Sequence, residues 1–138
     1  MERSRHNPFM EHSFNELAEL THDRAVTALT IRPEVRNPYG MAHGGALYTL
    51  ADNAAGFAAH TDGRAYVTQS SNLYFLRNQA EGVIRAEAKV RRRGRTTCLV
   101  EVDITGEDGA LLASGTFVYF CVDQTVQVPQ SDSPSPEG

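Results

Sequence analysis

The stretch GMAHGGALYTLADNAAG, residues 40–56, decides how the rest of this chain is interpreted. It opens on His-Gly-Gly and continues as an alanine- and leucine-rich segment from Gly45 to about His60. The apolar positions cover more than one helical face, which predicts a helix surrounded by protein rather than lying on a surface. One carboxylate, Asp52, interrupts this apolar segment. Such a carboxylate loses solvation and is rarely buried unless it is paired or functional.

Length and composition fit one ordinary globular domain. The chain has 138 residues, a formal net charge of -4 and 41% apolar residues, which gives no overall bias toward nucleic acid or anionic membranes. No apolar run reaches the length of a signal peptide or membrane span, so a cytoplasmic protein is expected. Cys98 and Cys121 stand apart without CxxC spacing, which favours buried reduced thiols over a disulfide or a zinc site.

The segments before the helix are short. A helical turn is expected around Pro8 to Glu11. Residues 26–31 alternate between apolar residues and threonines and predict a strand that ends at Pro33. Residues 15–20 fit a helix or a partner strand for that segment equally well.

Four long runs rich in β-branched and aromatic residues follow the helix, separated by the turn sequences QAEG, RG and EDG. These connections are too short for parallel crossovers, so the strands are predicted to form an antiparallel meander. The predicted fold class is α+β, with one long central helix wrapped by a curved antiparallel sheet. The domain is expected to span residues 1–123, and the Pro/Ser-rich residues 124–138 are expected to form a disordered tail.

The start of the helix and its carboxylate are the first candidates for chemistry. Gly44 and Gly45 lie where the helix begins, so their N–H groups have no acceptor within the helix and could stabilise an oxyanion. A plain glycine-rich helix start is the alternative. Asp52 could act as a general base or a nucleophile. It could also simply bond nearby hydroxyls, such as those of Tyr48, Thr49 or a strand threonine.

An arginine cluster and a histidine are further candidates. Arg91, Arg92, Arg93 and Arg95 flank a two-residue turn, and alternation along a strand places Arg91 and Arg93 on one face and Arg92 on the other. The cluster could bind phosphates or could be a solvated turn. No GxSxG motif accompanies His43, and a structural role at the helix start is favoured for it.

The segments NPYGMAHGGALYTLADNAAG, NLYFLRN and RRRGRTT together resemble the hotdog-fold acyl-CoA thioesterases of the PaaI (phenylacetate-pathway) type, over roughly residues 24–122. The family pattern has a loop asparagine, His-Gly-Gly, an acidic residue nine positions after the histidine, an FLRP-like strand and a GR-T turn. Asn78 stands where the family usually has proline, a departure expected to touch strand geometry and not the chemistry. The resemblance implies a sheet of five to six strands around the helix.

The resemblance also implies a function. An acyl-CoA or aryl-CoA thioester would be hydrolysed without a metal or other cofactor, coenzyme A being part of the substrate. Neither nucleic acid nor membrane is an expected partner. The site would use Asp52 as base or nucleophile, Gly44 and Gly45 as oxyanion donors, His43 at the helix start, and Asn37, which also fits a simple turn, to orient substrate or water. The four arginines would hold coenzyme A. A non-catalytic acyl-CoA-binding or sensing protein is the alternative, whereas a hydratase lacks a convincing His–acid pair.

The distance between the two halves of this site predicts an assembly. Eight residues of helix separate Gly44 from Asp52, or about 12 Å at 1.5 Å per residue. A base and its oxyanion donors must lie within about 3 Å of neighbouring atoms of one substrate. Two helices packed antiparallel about a two-fold axis would bring Gly44 of one copy to Asp52 of the other. The sequence therefore predicts an obligate homodimer with shared sites, in an expected dimer of dimers.

Overall fold

A computed structural model describes residues 8–122 of the chain. A six-stranded sheet packs against one long helix, and every pair of neighbouring strands is antiparallel. The helices are α1, Pro8–His12, and α2, Gly44–Ala59. The strands are β1 Asn15–Thr21, β2 Arg24–Thr30, β3 Tyr66–Phe75, β4 Val83–Arg93, β5 Thr97–Thr105 and β6 Leu111–Cys121. The predicted fold class is confirmed, while the predicted boundary at 123 and the tail, residues 124–138, lie outside the described residues.

The order of strands across the sheet is β1-β2-β4-β5-β6-β3. The predicted meander is correct for β4, β5 and β6 but wrong for β3, which pairs with β6 instead of β4. The QAEG segment is therefore not a hairpin turn: the chain crosses the end of the sheet there, and the N–H groups of Leu76 and Arg77 bond the carbonyl of Leu112 on the way. Residues 15–21, for which helix and strand were both open, form the strand β1.

The sequence of α2 explains both its start and its burial. His43 is the N-cap: its backbone is extended, and its Nδ1 accepts the N–H of Gly45 at 2.8 Å, satisfying one of the donors that a helix start leaves open. Small alanines let the sheet pack closely against the helix. The buried side chains of α2 are Leu47, Leu50, Ala51, Ala54, Ala55, Phe57, Ala58 and Ala59.

One stripe of α2 is only partly covered by the sheet. Gly45 is exposed, and Thr49, Asp52 and Gly56 are half-buried. Their spacing of four, three and four residues places them on one helical face. Within residues 8–122 the helix is therefore wrapped on most of its circumference and is most accessible along this half-buried stripe, called the open stripe below. None of the described helices is long and apolar enough to cross a membrane.

Arg93 holds the C-terminal end of α2. Its guanidinium donates to the carbonyl oxygens of Ala58 at 3.3 Å and Ala59 at 2.9 Å, and forms ion pairs with Asp23 at 2.6 Å and Asp62 at 3.0 Å. The last carbonyls of a helix lack intrahelical partners and carry partial negative charge, so a cation is stabilising there. These contacts tie the helix to β4 and to the turn between β1 and β2.

Candidate active site

The carboxylate of Asp52 lies midway along α2, half-buried, against the inner side of β3 and β6. Its Oδ1 accepts hydrogen bonds from the phenol of Tyr119 at 2.7 Å and from the hydroxyl of Thr68 at 3.3 Å. Within residues 8–122, Oδ2 has no hydrogen-bond donor and the carboxylate has no ion pair. One oxygen of the carboxylate is thus held by hydroxyl groups, while the other remains available.

The phenol of Tyr119 is enclosed by the core, with the residue only 1% exposed. Burial raises the pKa of Tyr119 well above its ordinary value, and the neighbouring Asp52 carboxylate raises it further. The hydroxyl therefore keeps its proton and donates it. Gly56, one turn after Asp52, lies beside the phenol: a Cβ atom there would be 3.7 Å from the phenol oxygen, an ordinary van der Waals distance.

Sequence reasoning missed Tyr119, and only the general possibility of a strand threonine covered Thr68. A signal for Tyr119 existed, because it shares the alternating phase of Phe117 and Cys121 along β6, and the hydroxyl of a buried tyrosine usually finds a partner. The partner itself could not be identified without the sheet order. Tyr48, expected as a possible partner of the aspartate, instead contacts Ser71 through its hydroxyl.

The N–H of Gly44 is the available donor at the start of α2. Gly44 is the first helical residue, and its N–H has no acceptor in the described part of the chain. The ring of Phe75 lies beside it, 3.8 Å from where a Cβ of residue 44 would stand. The N–H of Gly45, by contrast, is occupied by His43 Nδ1. The structure thus leaves open one of the two predicted oxyanion donors.

Asn37 shapes the loop that leads to the helix. Its Oδ1 accepts the N–H groups of Tyr39 at 2.9 Å and Met41 at 3.0 Å, and its own N–H bonds the carbonyl of Met41. Gly40, with φ of 81°, permits this tight turn. Within residues 8–122 the Nδ2 group of Asn37 has no acceptor. Asn37 therefore acts as a turn residue through its Oδ1 atom.

Asn78 ties the same loop to the segment after β3. Its Nδ2 donates to the carbonyl of Ala42 at 3.1 Å, and the N–H of Ala42 donates to the carbonyl of Gln79 at 3.0 Å. Proline, the usual residue of the family here, has no group that could make the side-chain bond. The departure at Asn78 therefore affects the loop that ends at His43, the N-cap of α2, rather than strand geometry.

The four arginines do not form one surface. The strand register shifts between Val90 and Arg92, so Arg91 is an extra residue in β4, and such a bulge breaks alternation. Arg91 reaches Glu101 on the outer face of the sheet, while Arg93 turns to the helix. The predicted shared face of Arg91 and Arg93 is therefore wrong. The exposed arginines of the cluster are Arg91, Arg92 and Arg95.

Comparison with known proteins identifies the family of this chain. The model of the thioesterase superfamily matches residues 39–113, more than half of the chain. The chain belongs to the thioesterase superfamily. The predicted enzyme class, thioester hydrolase, is that of this family, and the PaaI-like identification is confirmed by the relatives described next.

Three relatives are similar to this chain in sequence or in structure. Acyl-coenzyme A thioesterase PaaI of Escherichia coli is 31% identical over 64% of each chain. The TT0310 protein of Thermus thermophilus has a TM-score of 0.79 at 34% identity, covering 83% of this chain and 97% of its own. A hypothetical thioesterase of Streptococcus pneumoniae, solved with coenzyme A, has a TM-score of 0.74 at 30% identity, covering 78% and 84%.

The geometry of this thioesterase brings some predicted residues together and keeps others apart. His43, Gly44 and Asn37 gather at the start of α2, and Asp52 lies two turns further along the same helix. Eight residues of helix, about 12 Å, separate Gly44 from Asp52. One chain therefore presents a carboxylate without an oxyanion donor at one point and a donor without a carboxylate at the other.

Proposed function

We propose that this protein hydrolyses the thioester bond of an acyl-CoA or aryl-CoA, in active sites that two copies of the chain share. The observation that carries the proposal is the pair of unpartnered groups on α2. Among the described residues, Asp52 Oδ2 has no donor and the Gly44 N–H has no acceptor, and they stand too far apart to act on one substrate. The substrate class is supported by two relatives: one is named as an acyl-coenzyme A thioesterase, and the other was solved with coenzyme A.

In the proposed reaction Asp52 takes a proton from a water molecule, and the resulting hydroxide attacks the thioester carbonyl. The carbonyl oxygen becomes negative and is stabilised by the Gly44 N–H of the second copy at the positive end of its helix. The carbon–sulfur bond then breaks, and the proton passes from Asp52 to the departing CoA thiolate. Direct attack by Asp52 would give a mixed anhydride that water hydrolyses, with the same products.

Two open surfaces support the pairing of two copies. Among residues 8–122, β3 is an edge strand of ten residues that pairs on one side only, and most of its residues are exposed. Such an edge pairs readily with another strand. The open stripe of α2 carries the small residues Gly45 and Thr49 before Asp52, so a second helix could approach closely there. A two-fold axis through these surfaces would set each carboxylate against the helix start of the other copy.

Coenzyme A would lie along the turn between β4 and β5. The side chains of Arg92 and Arg95 are exposed there, and charge-assisted bonds from arginine suit phosphate groups. Arg64 orders the turn by donating to the carbonyls of Gly94 at 3.0 Å and Arg95 at 2.9 Å. Arg93, held by carboxylates and the end of α2, serves this site indirectly by fixing the strand that carries its neighbours.

The shared site can be tested with two variants that disable different halves. Asp52→Ala removes the carboxylate, with an expected loss in kcat of about 10²- to 10⁴-fold. Gly44→Pro removes the N–H and adds a ring beside Phe75, and the missing donor is expected to cost about 10²- to 10³-fold. Proline is tolerated at the first helical position, and the extended backbone of His43, ψ 136°, suits a residue before proline. Turnover of acyl- and aryl-CoA panels is followed by release of the free thiol.

Heterodimers of the two variants give the decisive measurement. Co-expression with two different tags and tandem purification yields dimers in which one site is intact and the other carries both defects. These dimers should recover about half of the wild-type activity if the site is shared. Heterodimers no more active than their parents would show that both groups act within one chain. Gly44→Ala, which keeps the N–H and has space for its methyl group, is the matched control and should lose far less activity than Gly44→Pro.

A further inference from the structure

We propose that Tyr119 is a positioning residue that decides which oxygen of Asp52 reacts. This inference rests on the proposed function, because it assigns a role to a contact of the same carboxylate. Tyr119 holds Oδ1, and Oδ2 is then the atom that meets the water or the thioester.

The contact is directed at one oxygen only. The phenol oxygen lies 2.7 Å from Oδ1 of Asp52 and 3.0 Å from the main-chain oxygen of the same residue. Thr68, directly opposite Tyr119 in the pairing of β3 with β6, donates to Oδ1 as well. Both side-chain donors that reach the carboxylate thus meet at one oxygen.

Tyr119 is itself held rigidly. β6 is paired on both sides, and Tyr119 stands opposite Cys98 on β5 and Thr68 on β3. Its side chain is buried, 1% exposed, and its hydroxyl reaches α2 at Asp52, close to Gly56. The phenol is consequently a fixed reference point, whereas Asp52 lies on the half-open face of the helix.

An aspartate on an open helix face needs such a reference. The torsion that rotates a carboxylate has broad minima. Without restraint, the two oxygens of Asp52 would therefore exchange places, and the oxygen that accepts the proton would point in a range of directions. A misplacement of about 1 Å at a reacting group can cost on the order of a hundredfold in rate. A donor that cannot move, bonded to one oxygen, keeps the other oxygen aimed out of the helix toward the open stripe.

A tyrosine with a purely structural role should affect stability and not catalysis. Tyr66 is the matched case in the same chain: it is fully buried, and its phenol donates to Asp62 at 2.6 Å in the network that holds the end of α2. Its removal should cost stability and leave the chemistry in place. Tyr119→Phe and Tyr66→Phe therefore delete the same group from two equally buried sites, only one of which touches the proposed base.

The experiment compares these two variants by kcat, KM and thermal unfolding. Tyr119→Phe should lower kcat by on the order of tenfold with little change in KM, while Tyr66→Phe should lower the melting temperature and keep kcat. A double-mutant cycle should show that Tyr119→Phe has no further effect once Asp52→Ala is present. If Tyr119→Phe reduces the folded fraction, Thr68→Val removes the other donor from an exposed position and should give a smaller loss in kcat at unchanged KM.

Three results would overturn the inference. Unchanged kcat in Tyr119→Phe, equal kcat losses in the two phenylalanine variants, or an equal loss with and without Asp52 would each leave Tyr119 with a packing role. Failure of the underlying function is separate, because there Asp52→Ala itself would retain wild-type turnover. Loss of activity in Asp52→Ala with full activity in Tyr119→Phe would remove the positioning role and leave the proposed function standing.

Discussion

At the scale of single residues, two aspartates of this chain show how surroundings decide the role of a carboxylate. Each accepts a hydrogen bond from a buried tyrosine, Asp52 from Tyr119 and Asp62 from Tyr66. Asp62 is also paired with Arg64 and Arg93, at 2.8 and 3.0 Å. Asp52 has no cation beside it in the described part of the chain. The cations beside Asp62 neutralise its charge within the structure, whereas the hydrogen bond to Asp52 orients that carboxylate and leaves its charge unpaired among the described residues.

Asp62 predicts a pH dependence of stability. Burial acts to raise the pKa of Asp62, but hydrogen bonds from Tyr66 and Arg64 and the charge of Arg93 outweigh it and lower the pKa to about 2. An unfolded aspartate has a pKa of about 3.9, so the contribution of Asp62 to stability is complete above that pH and is lost as the pH falls through about 2.

Asp62→Asn should lower the free energy of unfolding at pH 7 by about 1–2 kcal/mol and flatten its decline between about pH 4 and pH 2. Urea unfolding across that range measures both effects. Asp108→Asn, at an exposed aspartate, is the control and should behave as wild type. A decline in Asp62→Asn as steep as that of wild type would mean that other carboxylates cause it.

At the scale of elements, both ends of α2 are fixed and its middle stripe is left open. His43 caps the N-terminal end, and the loop before it is bonded through Asn78 and Gln79 to the segment that follows β3. Arg93 holds the C-terminal end through two carbonyls and two carboxylates. The proposed donor and base therefore lie on one helix whose position relative to the sheet is fixed at both ends.

The arginine cluster yields a paired prediction about this element. Arg93→Met should destabilise the fold by about 2–3 kcal/mol, since it leaves half-buried carboxylates and helix carbonyls without their cation. Arg92→Met, the same substitution at an exposed position, should leave unfolding nearly unaffected and raise KM for CoA thioesters, more so at low salt. Denaturant titration and steady-state kinetics of both variants check this. A raised KM in Arg93→Met at wild-type stability would reverse the two assignments.

At the scale of the whole molecule, the sheet of residues 8–122 has the two edges β1 and β3, and β3 carries Thr68, which bonds Asp52, and Phe75, which lies beside Gly44. The exposed residues of β3 and the open stripe of α2 form one continuous region that contains Asp52 and, at its end, Gly44. A second copy that covers this region would complete two sites at once. Assembly and activity are then expected to be lost together.

Thr49→Arg places a long cation in the open stripe between Gly45 and Asp52, where a second helix is expected to pack. The variant should be monomeric by light scattering and lose at least about 10²-fold in activity, because each monomer keeps only half of a site. Thr30→Arg makes the same change at an exposed position at the end of β2, and it should stay assembled and active. An active Thr49→Arg monomer would contradict the shared site.

The sequence by itself determined the long helix, the antiparallel strands after it, the position of Asp52 and the family, whereas only the structure showed that residues 15–21 form a sixth strand. Periodicity and β-propensity are local properties, and the motif from Asn37 to Asp52 is continuous in the chain. Only the tertiary structure decided that β3 lies beside β6, because pairing across the sheet depends on packing against α2 and not on turn length. Tyr119 meets Asp52 through that arrangement, from 67 positions along the chain. The bulge at Arg91 likewise turned Arg93 inward, since one extra residue reverses which side chains face the core.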